Sequence, residues 1–495
     1  RRVREAGVYC ELLAFNTTAD QLRARPRLRG IVLSGGPASV YEADSPRLDP
    51  QVLALPVPVL GICYGFQEMT QALGGRVGPG PKKEYGHAQI SVVDTDAPDA
   101  LFARVPPSSS VWMSHGDRVE QLAPGFRDIA TTENTPHAAA ADHARGLYGL
   151  QFHPEVTHTA HGTAVLKAFV RDICHCGGDW TMAEFVAEAS RNIKDMVGNG
   201  SVIGAVSGGV DSTVAAVLMH RAIGSQFHGI LVDNGLLRKN EAEEVLERLK
   251  HRCGVDIRFA NATDRFLSRL QGVTDPEKKR KIIGNTFIEV FQEKAEETDA
   301  QFLLQGTLYP DVIESVSHKG PSATIKTHHN VGGLPEKMKL KLIEPLRYLF
   351  KDEVRALGLV LGIEEESIYR HPFPGPGLAI RILGDITPKR LEALRESDAI
   401  YLEELRQADL YRSIGQAFAV LLPCRAVGVM GDGRTYEEVI ALRAVQTSDY
   451  MTADWFEVPP EVLRRVSTRI VNEVSGVNRV TYDITSKPPG TIEWE

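Results

Sequence analysis

The chain has no uninterrupted apolar run near the roughly 18 residues that a membrane-spanning helix needs, so the sequence predicts no membrane segment. Basic residues are not in excess either: 56 lysines and arginines stand against 64 acidic residues, and the net charge is −8. We therefore expect no nucleic acid among its partners. Six cysteines in 495 residues are too few for a disulfide framework, which predicts a reducing, cytoplasmic location. The short cluster of Cys174, His175 and Cys176 has no matching second pair, so no zinc site is predicted.

The composition is that of a globular protein, with 43% hydrophobic and 24% charged residues. At about 150 residues per domain, the length predicts three domains. Short apolar runs alternate with helical segments in the earlier part, which favours α/β layers, whereas the last part favours a smaller α+β domain. Breaks near residues 174–178 and 373–377 place the boundaries, which gives predicted domains at 1–176, 177–371 and 372–495.

Residues 207–212, Ser-Gly-Gly-Val-Asp-Ser, stand between an apolar run that predicts a strand and an apolar-periodic run that predicts a helix. The two glycines allow a tight turn and close approach of a ligand. The helix start directs free N–H groups at whatever binds there, and a phosphate is the expected ligand. No Gly-Lys-Ser/Thr follows, so this is not a Walker A loop. The alternative is a plain turn in which Asp211 or Ser212 caps the helix.

This combination of strand, loop and helix resembles the pyrophosphatase loop of ATP-dependent adenylating ligases. The resemblance implies that the loop and the first helical residues hold the ATP phosphates, namely Ser207, Gly208, Gly209, Val210, Asp211, Ser212 and Thr213. Asp211 is the candidate ligand for Mg²⁺, which prefers carboxylate and phosphate oxygens. Asp233 ends the next predicted strand, where α/β sheets bind nucleotides. It is equally consistent with a turn residue.

A cysteine stands on a predicted strand-to-helix turn at residues 61–65, Gly-Ile-Cys-Tyr-Gly. Flanking glycines and an exposed nucleophile are typical of a nucleophile elbow, and a helix N-terminus favours the thiolate. A nucleophilic Cys63 needs a histidine base and an orienting carboxylate. His153 and Glu155 are two residues apart, so both side chains of an extended segment can face Cys63.

Cys63, His153 and Glu155 with these flanks resemble the class I glutamine amidotransferases. The resemblance implies glutamine hydrolysis through a thioester, with Cys63 as nucleophile, His153 as base and Glu155 orienting it. It also implies oxyanion N–H groups at Gly35 and Tyr64, and glutamine contacts from Gln67, Ser114 and His115. Residues 1–7 resemble the end of a helix, so we expect a strand and half a helix of this domain to precede Arg1.

Longer segments, at 305–315, 325–335, 371–381 and 486–495, resemble the glutamine-hydrolysing GMP synthetases of the bacterial type. That family converts XMP into GMP: ATP adenylates the purine O2, and ammonia displaces AMP. The resemblance implies a lid that handles ATP and Mg²⁺, formed by Asp311, Glu314, Lys326, His328 and His329. It implies XMP contacts from Arg280, Gln416, Asp432, Lys487 and Glu493, and a homodimer through the C-terminal domain.

Bland alternatives exist for these motifs. The 325–335 stretch can be a solvated surface loop, and Gln416 can be an ordinary surface residue. Other amidating ligases share the phosphate loop but not the cysteine domain ahead of it together with this lid. A non-catalytic protein on an amidotransferase scaffold would be expected to lack Cys63, His153 or Ser207, and all three are present. The sequence thus predicts an α/β amidotransferase, a doubly wound ATP pyrophosphatase domain and a smaller α+β domain.

Overall fold

The computed structural model describes residues 1–93, 99–315, 340–430, 433–447, 450 and 452–495. These residues form two compact units, one of residues 1–184 and the other from Phe185 to the end of the chain. Among the described helices, none combines the length and the apolar character that crossing a membrane requires.

The first unit is built on one seven-stranded mixed sheet. Its strands are β1 (Ile31–Leu33), β2 (Val59–Ile62), β3 (Arg76–Val92), β4 (Ser108–Gln121), β5 (Arg127–Thr131), β6 (Ala139–Asp142) and β7 (Leu147–Leu150). They lie in the order β1-β2-β7-β6-β5-β3-β4, in which β1, β2 and β7 are parallel and the others antiparallel. The helices are α1 (Arg2–Glu5), α2 (Ala19–Arg23), α3 (Tyr64–Ala72) and α4 (Gly162–Lys167).

Strands β2, β7 and β6 are interior strands of that sheet. Every residue of β2, β6 and β7 is buried, as expected for strands covered on both faces. Three short helical turns lie at Pro50–Ala54, Ala100–Phe102 and Ala168–Ile173. Because β2 lies between β1 and β7, its carboxyl end places Cys63 at an interior position of the sheet edge, one strand in from β1.

A long helix, α5 (Met182–Val197), follows the first unit's last turn. The sequence is amphipathic over residues 180–197, and the helix begins at the third of these residues. Its buried residues, Val186, Ala189, Ile193 and Val197, recur at the three- and four-residue spacing of one helix face.

The second unit contains a five-stranded, wholly parallel sheet. Its strands are β8 (Val202–Ala205), β9 (Phe227–Asp233), β10 (Ile257–Asn261), β11 (Phe302–Leu304) and β12 (Lys341–Ile343), in the order β10-β9-β8-β11-β12. The chain order reverses between β8 and β11, and such a switch point opens a crevice at the carboxyl ends of the strands. The predicted phosphate loop follows β8 at that crevice.

Helices of the same part are α6 (Val210–Ile223), α7 (Glu241–Leu246), α8 (Thr263–Leu270), α9 (Pro276–Glu296), α10 (Tyr309–Ser315), α11 (Lys351–Val360) and α12 (Glu365–Ile368). Short helical turns lie at Gly224–Gln226, Glu247–Arg252 and Gly377–Arg381. Of the break predicted at 373–377, residues 373–376 have no regular structure, whereas Gly377 begins the last of these short turns.

The C-terminal part contains α13 (Pro388–Gln407), β13 (Gln416–Met430), β14 (Gly433–Gln446), β15 (Asp454–Trp455), α14 (Pro460–Glu473) and β16 (Val477–Tyr482). Helix α13 begins at Pro388, because the Thr387 hydroxyl caps the Arg390 N–H and Pro388 starts the first turn. Strands β13 and β14 pair along their length with a register shift between Leu421 and Arg425. Residues 426–430 belong to the outer half of β13.

The core of the second unit is continuous from the parallel sheet to the C-terminal sheet. Ile203 and Ile230 of the parallel sheet share one buried apolar cluster with Leu394 of α13 and Ile440 of β14. The predicted boundary between residues 371 and 372 falls inside this unit, and the three-domain division stays a prediction.

Candidate active sites

The predicted nucleophile stands on a strained turn. Cys63 separates β2 from α3 and has φ 49° and ψ −107°, a conformation that side-chain-bearing residues rarely adopt. The turn is possible because its neighbours are glycines: a Cβ on Gly61 would lie 2.7 Å from the Phe66 backbone, and one on Gly65 would lie 2.2 Å from Leu33 O. The structure thus has the predicted elbow geometry, with Cys63 at its apex.

His153 and Glu155 converge on this turn. His153 Nδ1 lies 2.7 Å from Glu155 Oε1, which fixes the imidazole so that Nε2 is its free nitrogen. Interaction with Cys63, and secondly with Glu155, raises the pKa of His153 to about 10. Nε2 is buried and has no well-aligned hydrogen-bond partner among the described residues. Cys63 therefore favours the charged imidazole without an aligned hydrogen bond. A cysteine beside a protonated imidazole is the arrangement of a thiol nucleophile.

The backbone of His153 is held from both sides. Its N–H donates to Trp112 O at 3.0 Å, and its carbonyl oxygen accepts from Thr159 Oγ1 at 2.6 Å. The same Thr159 oxygen accepts the Trp112 N–H at 3.0 Å. Sequence reasoning missed Thr159, because both of its partners are main-chain groups that leave no pattern of residue types.

The predicted oxyanion and glutamine residues surround the same turn. A Cβ on Gly35 would lie 3.1 Å from His153 Cε1 and 3.7 Å from Cys63 Cβ, so a side chain at this position would press against the His153 ring. Tyr64 follows Cys63 as the first residue of α3. The Ser114 carbonyl oxygen lies 3.8 Å from Cys63 Sγ.

Gln67 and His115 are buried polar members of the set. Gln67 Nε2 donates to Asp117 O at 2.8 Å and to Gln151 Oε1 at 3.3 Å. His115 Nδ1 is 3.0 Å from the same Asp117 oxygen, and its Nε2 lies 3.2 Å from Glu84 Oε2 without good hydrogen-bond alignment. Burial lowers the pKa of His115. Both side chains are thus occupied in supporting the site's wall.

Gln151 was not predicted, although it stands two residues before His153 on the same extended segment. Its Nε2 lies 3.7 Å from Cys63 Sγ, and it is fully buried. The period of two that linked His153 to Glu155 was the signal that could have identified it.

Hydrogen bonds from its own serine side chains hold the phosphate loop together. Ser207 Oγ and Ser212 Oγ are 3.1 Å apart, Ser212 Oγ donates to Gly209 O at 3.1 Å, and Gly209 N–H reaches Ser207 Oγ only at 3.4 Å. Gly208 adopts φ +75°, which explains the glycine there. No side chain caps the start of α6, so its free N–H groups remain available to an anion. Val210 and Thr213 are buried in the first turn behind the loop.

A lysine that the sequence did not reveal meets the loop. Lys351 Nζ lies 2.6 Å and 2.5 Å from the two carboxylate oxygens of Asp211, although the residues are 140 positions apart. Lys351 is the first residue of α11. This puts a cation at the loop without a Walker A lysine.

The remaining predicted ATP residues are less completely described. The Asp233 carboxylate accepts the Gly235 N–H at 2.8 Å, which is the turn role left open from the sequence. The Asp311 carboxylate accepts the Leu308 N–H at 3.1 Å at the start of α10. Glu314 belongs to α10, but its side chain lies outside the description, and the predicted lid residues Lys326, His328 and His329 lie outside the described residues. In the described part of the chain, no group of three or more His, Cys, Asp or Glu is arranged to hold a metal ion.

Two of the predicted XMP residues meet each other. Gln416 Nε2 donates to Glu493 Oε1 at 2.8 Å. Glu493 also accepts from Arg381 Nε at 3.1 Å and Nη2 at 2.9 Å, and Arg381 is fully buried. Gln416 is therefore not the surface residue that the sequence left possible.

Of the other predicted XMP residues, Arg280 lies on α9 and Lys487 in the C-terminal segment after β16. Arg280 Nη2 donates to Glu495 O at 2.7 Å, next to the buried Lys279, whose Nζ lies 2.7 Å from Glu495 Oε2. Lys487 Nζ donates to Tyr450 O at 2.7 Å and lines an open cleft of about 570 Å³. Asp432 lies outside the described residues.

Two family models match this chain. The model described as glutamine amidotransferase class-I matches residues 1–173, the part that contains Cys63, His153 and Glu155. The model described as GMP synthase C terminal domain matches residues 403–494, the part that contains Gln416 and Glu493.

Curated relatives match the whole chain. The chain is 57% identical over 502 residues to "GMP synthase [glutamine-hydrolyzing]" of Candida glabrata, covering 100% of this chain and 95% of that protein. Proteins of the same name from Phaeosphaeria nodorum and Saccharomyces cerevisiae are 58% and 56% identical, with 100% of this chain and 94% and 95% of theirs covered. These relatives are fungal, so the comparison gives no support to the bacterial type expected from the sequence.

Proposed function

The chain belongs to the glutamine-hydrolysing GMP synthases, and on that premise we propose that it makes GMP from XMP with the residues described above. Glutamine hydrolysis supplies ammonia, ATP adenylates XMP with release of pyrophosphate, and ammonia displaces AMP. The observation that carries this function is the match of the entire chain, at 56–58% identity, to relatives of that name.

Glutamine hydrolysis is assigned to Cys63, His153 and Glu155. The Cys63 sulfur attacks the glutamine amide carbon, and the resulting oxyanion is bound by the N–H groups of Gly35 and Tyr64. Each such donor is worth about 3 kcal/mol. His153 Nε2 gives a proton to the departing ammonia, and then takes one from the water that cleaves the thioester. The 2.7 Å contact with Glu155 and the His153 pKa of about 10 support this proton role.

Gln67, Ser114 and His115 are assigned to glutamine binding. Adenylation is assigned to the phosphate loop. The free N–H groups at the start of α6 would bind the ATP phosphates, and Asp233, Asp311, Glu314, Lys326, His328 and His329 are proposed to complete that site. Pyrophosphate then leaves as the XMP O2 bonds to the α-phosphorus.

Asp211 fits the Mg²⁺ that accompanies ATP, because this ion is typically held by one or two carboxylates together with phosphate oxygens. When bound, the ion would neutralise phosphate charge. The Lys351 ammonium is paired with the Asp211 carboxylate. When that carboxylate takes another partner, the ammonium is free to turn to the phosphates. Lys351 therefore joins the proposed ATP site.

XMP is proposed to bind in the C-terminal region. The Gln416–Glu493 pair offers an amide and a carboxylate of the kind that recognise ribose hydroxyls or purine N–H groups. Arg280 and Lys487 can meet the phosphate; Asp432 completes the proposed set.

The proposal divides the chain at 1–176, 177–371 and 372–495 into amidotransferase, ATP pyrophosphatase and C-terminal domains.

The C-terminal domain is also proposed to form a homodimer. The outer halves of β13 and β14, Arg425–Met430 with Gly433–Glu438, expose Val427, Val429 and Tyr436 to the extent of 49%, 75% and 60%. Val427 pairs with Tyr436 across the ladder, so these apolar groups form one strip, and such strips mark protein contacts.

Six free cysteines support a reducing, cytoplasmic location.

The direct test is GMP formation from XMP, ATP and Mg²⁺, with glutamine or an ammonium salt as the nitrogen donor. We expect activity with both donors, and a Cys63→Ala variant that works only with ammonium. Gln151→Glu serves as a second variant beside the nucleophile. Absence of GMP with both donors would show that the substrate is wrong, and glutamine-driven activity in Cys63→Ala would remove Cys63 as the nucleophile.

A further inference from the structure

A line of buried charges runs through the second unit from the phosphate loop to Glu493. Arg370 Nη1 donates to Gly208 O at 2.8 Å, and Arg370 Nη2 binds the Glu241 carboxylate. The other Glu241 oxygen accepts the main-chain N–H of Arg238 at 3.0 Å, and the Arg238 side chain donates from Nε to Asp398 Oδ2 at 3.0 Å.

The second half continues from Asp398. Its Oδ1 lies 3.9 Å from Arg381 Nη1, and Arg381 holds both oxygens of Glu493. The Phe373 ring lies beside both arginines, with its centroid 4.8 Å from Arg238 Cζ and 5.2 Å from Arg381 Cζ. Three cations therefore alternate with three carboxylates, and the side chains of Glu241, Asp398 and Arg381 are 4%, 2% and 0% exposed.

Each end of this line orients a group of a proposed substrate site. A peptide unit is planar and trans, so the Gly209 N–H points opposite to the Gly208 carbonyl. By holding that carbonyl, Arg370 sets the direction of a phosphate-loop N–H. At the other end, the two-point contact from Arg381 sets the plane of the Glu493 carboxylate, which in turn holds Gln416 at 2.8 Å.

We propose that this buried charge line, Arg370–Glu241–Arg238–Asp398–Arg381–Glu493, couples ATP binding at the phosphate loop to XMP binding at Glu493. Asp398 and Glu241 are its positioning residues and touch no substrate. A ligand that moves the Gly208 peptide shifts Arg370, and the Glu241 carboxylate must follow because an unpaired buried charge is strongly disfavoured. Glu241 also holds the main-chain N–H of Arg238, so its movement shifts the residue whose side chain pairs with Asp398. The inference rests on the proposed function, since it needs both substrates to bind to this unit.

The test measures the dissociation constant of XMP with and without a non-hydrolysable ATP analogue plus Mg²⁺, for the full chain. The ratio of the two constants is the coupling factor, and linkage requires XMP to change the affinity for the analogue by the same factor. We expect a wild-type factor in the usual range of about 5 to 150, and a factor near 1 for Asp398→Asn. This variant keeps an oxygen for the Ala419 N–H but removes the charge.

Glu404→Gln is the matched control. Glu404 is a buried carboxylate on the same helix as Asp398, but it pairs with Arg465 and Arg469, outside the charge line. It should keep the wild-type factor, whereas a merely structural effect of losing a buried charge from α13 would change both variants alike. Glu241→Gln tests the other end and replaces Asp398→Asn if that variant fails to fold.

A wild-type factor of 1, or an Asp398→Asn variant with the wild-type factor, would overturn the coupling. Ammonium-driven GMP synthesis by the wild type is measured in parallel. Its absence would contradict the proposed function instead, so the two failures are distinguishable.

Discussion

The Thr159 hydroxyl donates to the carbonyl oxygen of His153 at 2.6 Å and accepts the Trp112 N–H, so one small side chain fixes the peptide that carries the proposed base. Thr159→Val keeps the shape and removes the hydroxyl, which leaves two buried main-chain groups unpaired at a cost of about 1–3 kcal/mol. Since small displacements of a reacting group strongly slow a reaction, we expect glutaminase kcat to fall about tenfold or more.

The ammonium-driven reaction of Thr159→Val should keep its wild-type rate, and Thr159→Ser should restore glutamine hydrolysis. Steady-state kinetics with the two nitrogen donors check both statements. A wild-type glutaminase rate in the valine variant would show that Thr159 does not position His153.

The second prediction concerns the charge of His153. Its pKa of about 10 depends first on Cys63 and then on Glu155, so Cys63→Ala should lower that pKa more than Glu155→Gln does. The imidazole Cε1 proton shift, followed by NMR between pH 5 and 11, measures each value. A larger effect of Glu155→Gln would reverse the assigned order.

The same shift gives a pH dependence of stability. Because the folded pKa is raised above the ordinary value of 6.5, the native state binds more protons between these values, so stability falls as pH rises. The His153 contribution is fully present below about pH 6.5 and is lost as pH rises through about 10. Thermal unfolding across this window should show a shallower decline for Cys63→Ala than for the wild type.

The third prediction tests the cation at the phosphate loop. Lys351→Gln removes the charge beside Asp211 and should raise the KM for ATP about tenfold, which corresponds to about 1.4 kcal/mol, while glutamine hydrolysis stays unchanged. Lys239→Gln is the control, because Lys239 has a similar exposure and also pairs with a carboxylate, Glu396. Equal KM values for the two variants would exclude Lys351 from the ATP site.

Much of the chemistry was predictable where the determining residues are close in sequence. The glycines around Cys63 predicted the elbow, and the two-residue spacing predicted that His153 and Glu155 can both face Cys63; in the structure the two side chains are 2.7 Å apart. The residues that were missed act over long separations: Lys351 meets Asp211 across 140 positions, and Arg238 meets Asp398 across 160. Neither pairing has a local pattern, because only the completed fold brings the partners together.

The fourth prediction concerns assembly. Val429→Asp puts a charge into the exposed strip formed with Val427 and Tyr436, and it should convert a dimer into a monomer, because an unpaired charge in a contact is unfavourable. Val360→Asp, at another exposed valine, should leave the dimer intact. Sedimentation velocity distinguishes the species, and a monomeric wild type would contradict the proposed dimer.

The burial of Glu241, Asp398 and Arg381 has a consequence for how the protein responds to ionic strength. Mobile ions screen charges that face water, over about 8 Å at physiological salt, but they screen buried pairs much less. The exposed pair of Lys351 and Asp211 should therefore weaken as salt is added, together with any long-range attraction of the phosphates. Communication through the interior charges should keep its strength, so high salt would weaken each substrate's binding while the effect of one substrate on the other persists.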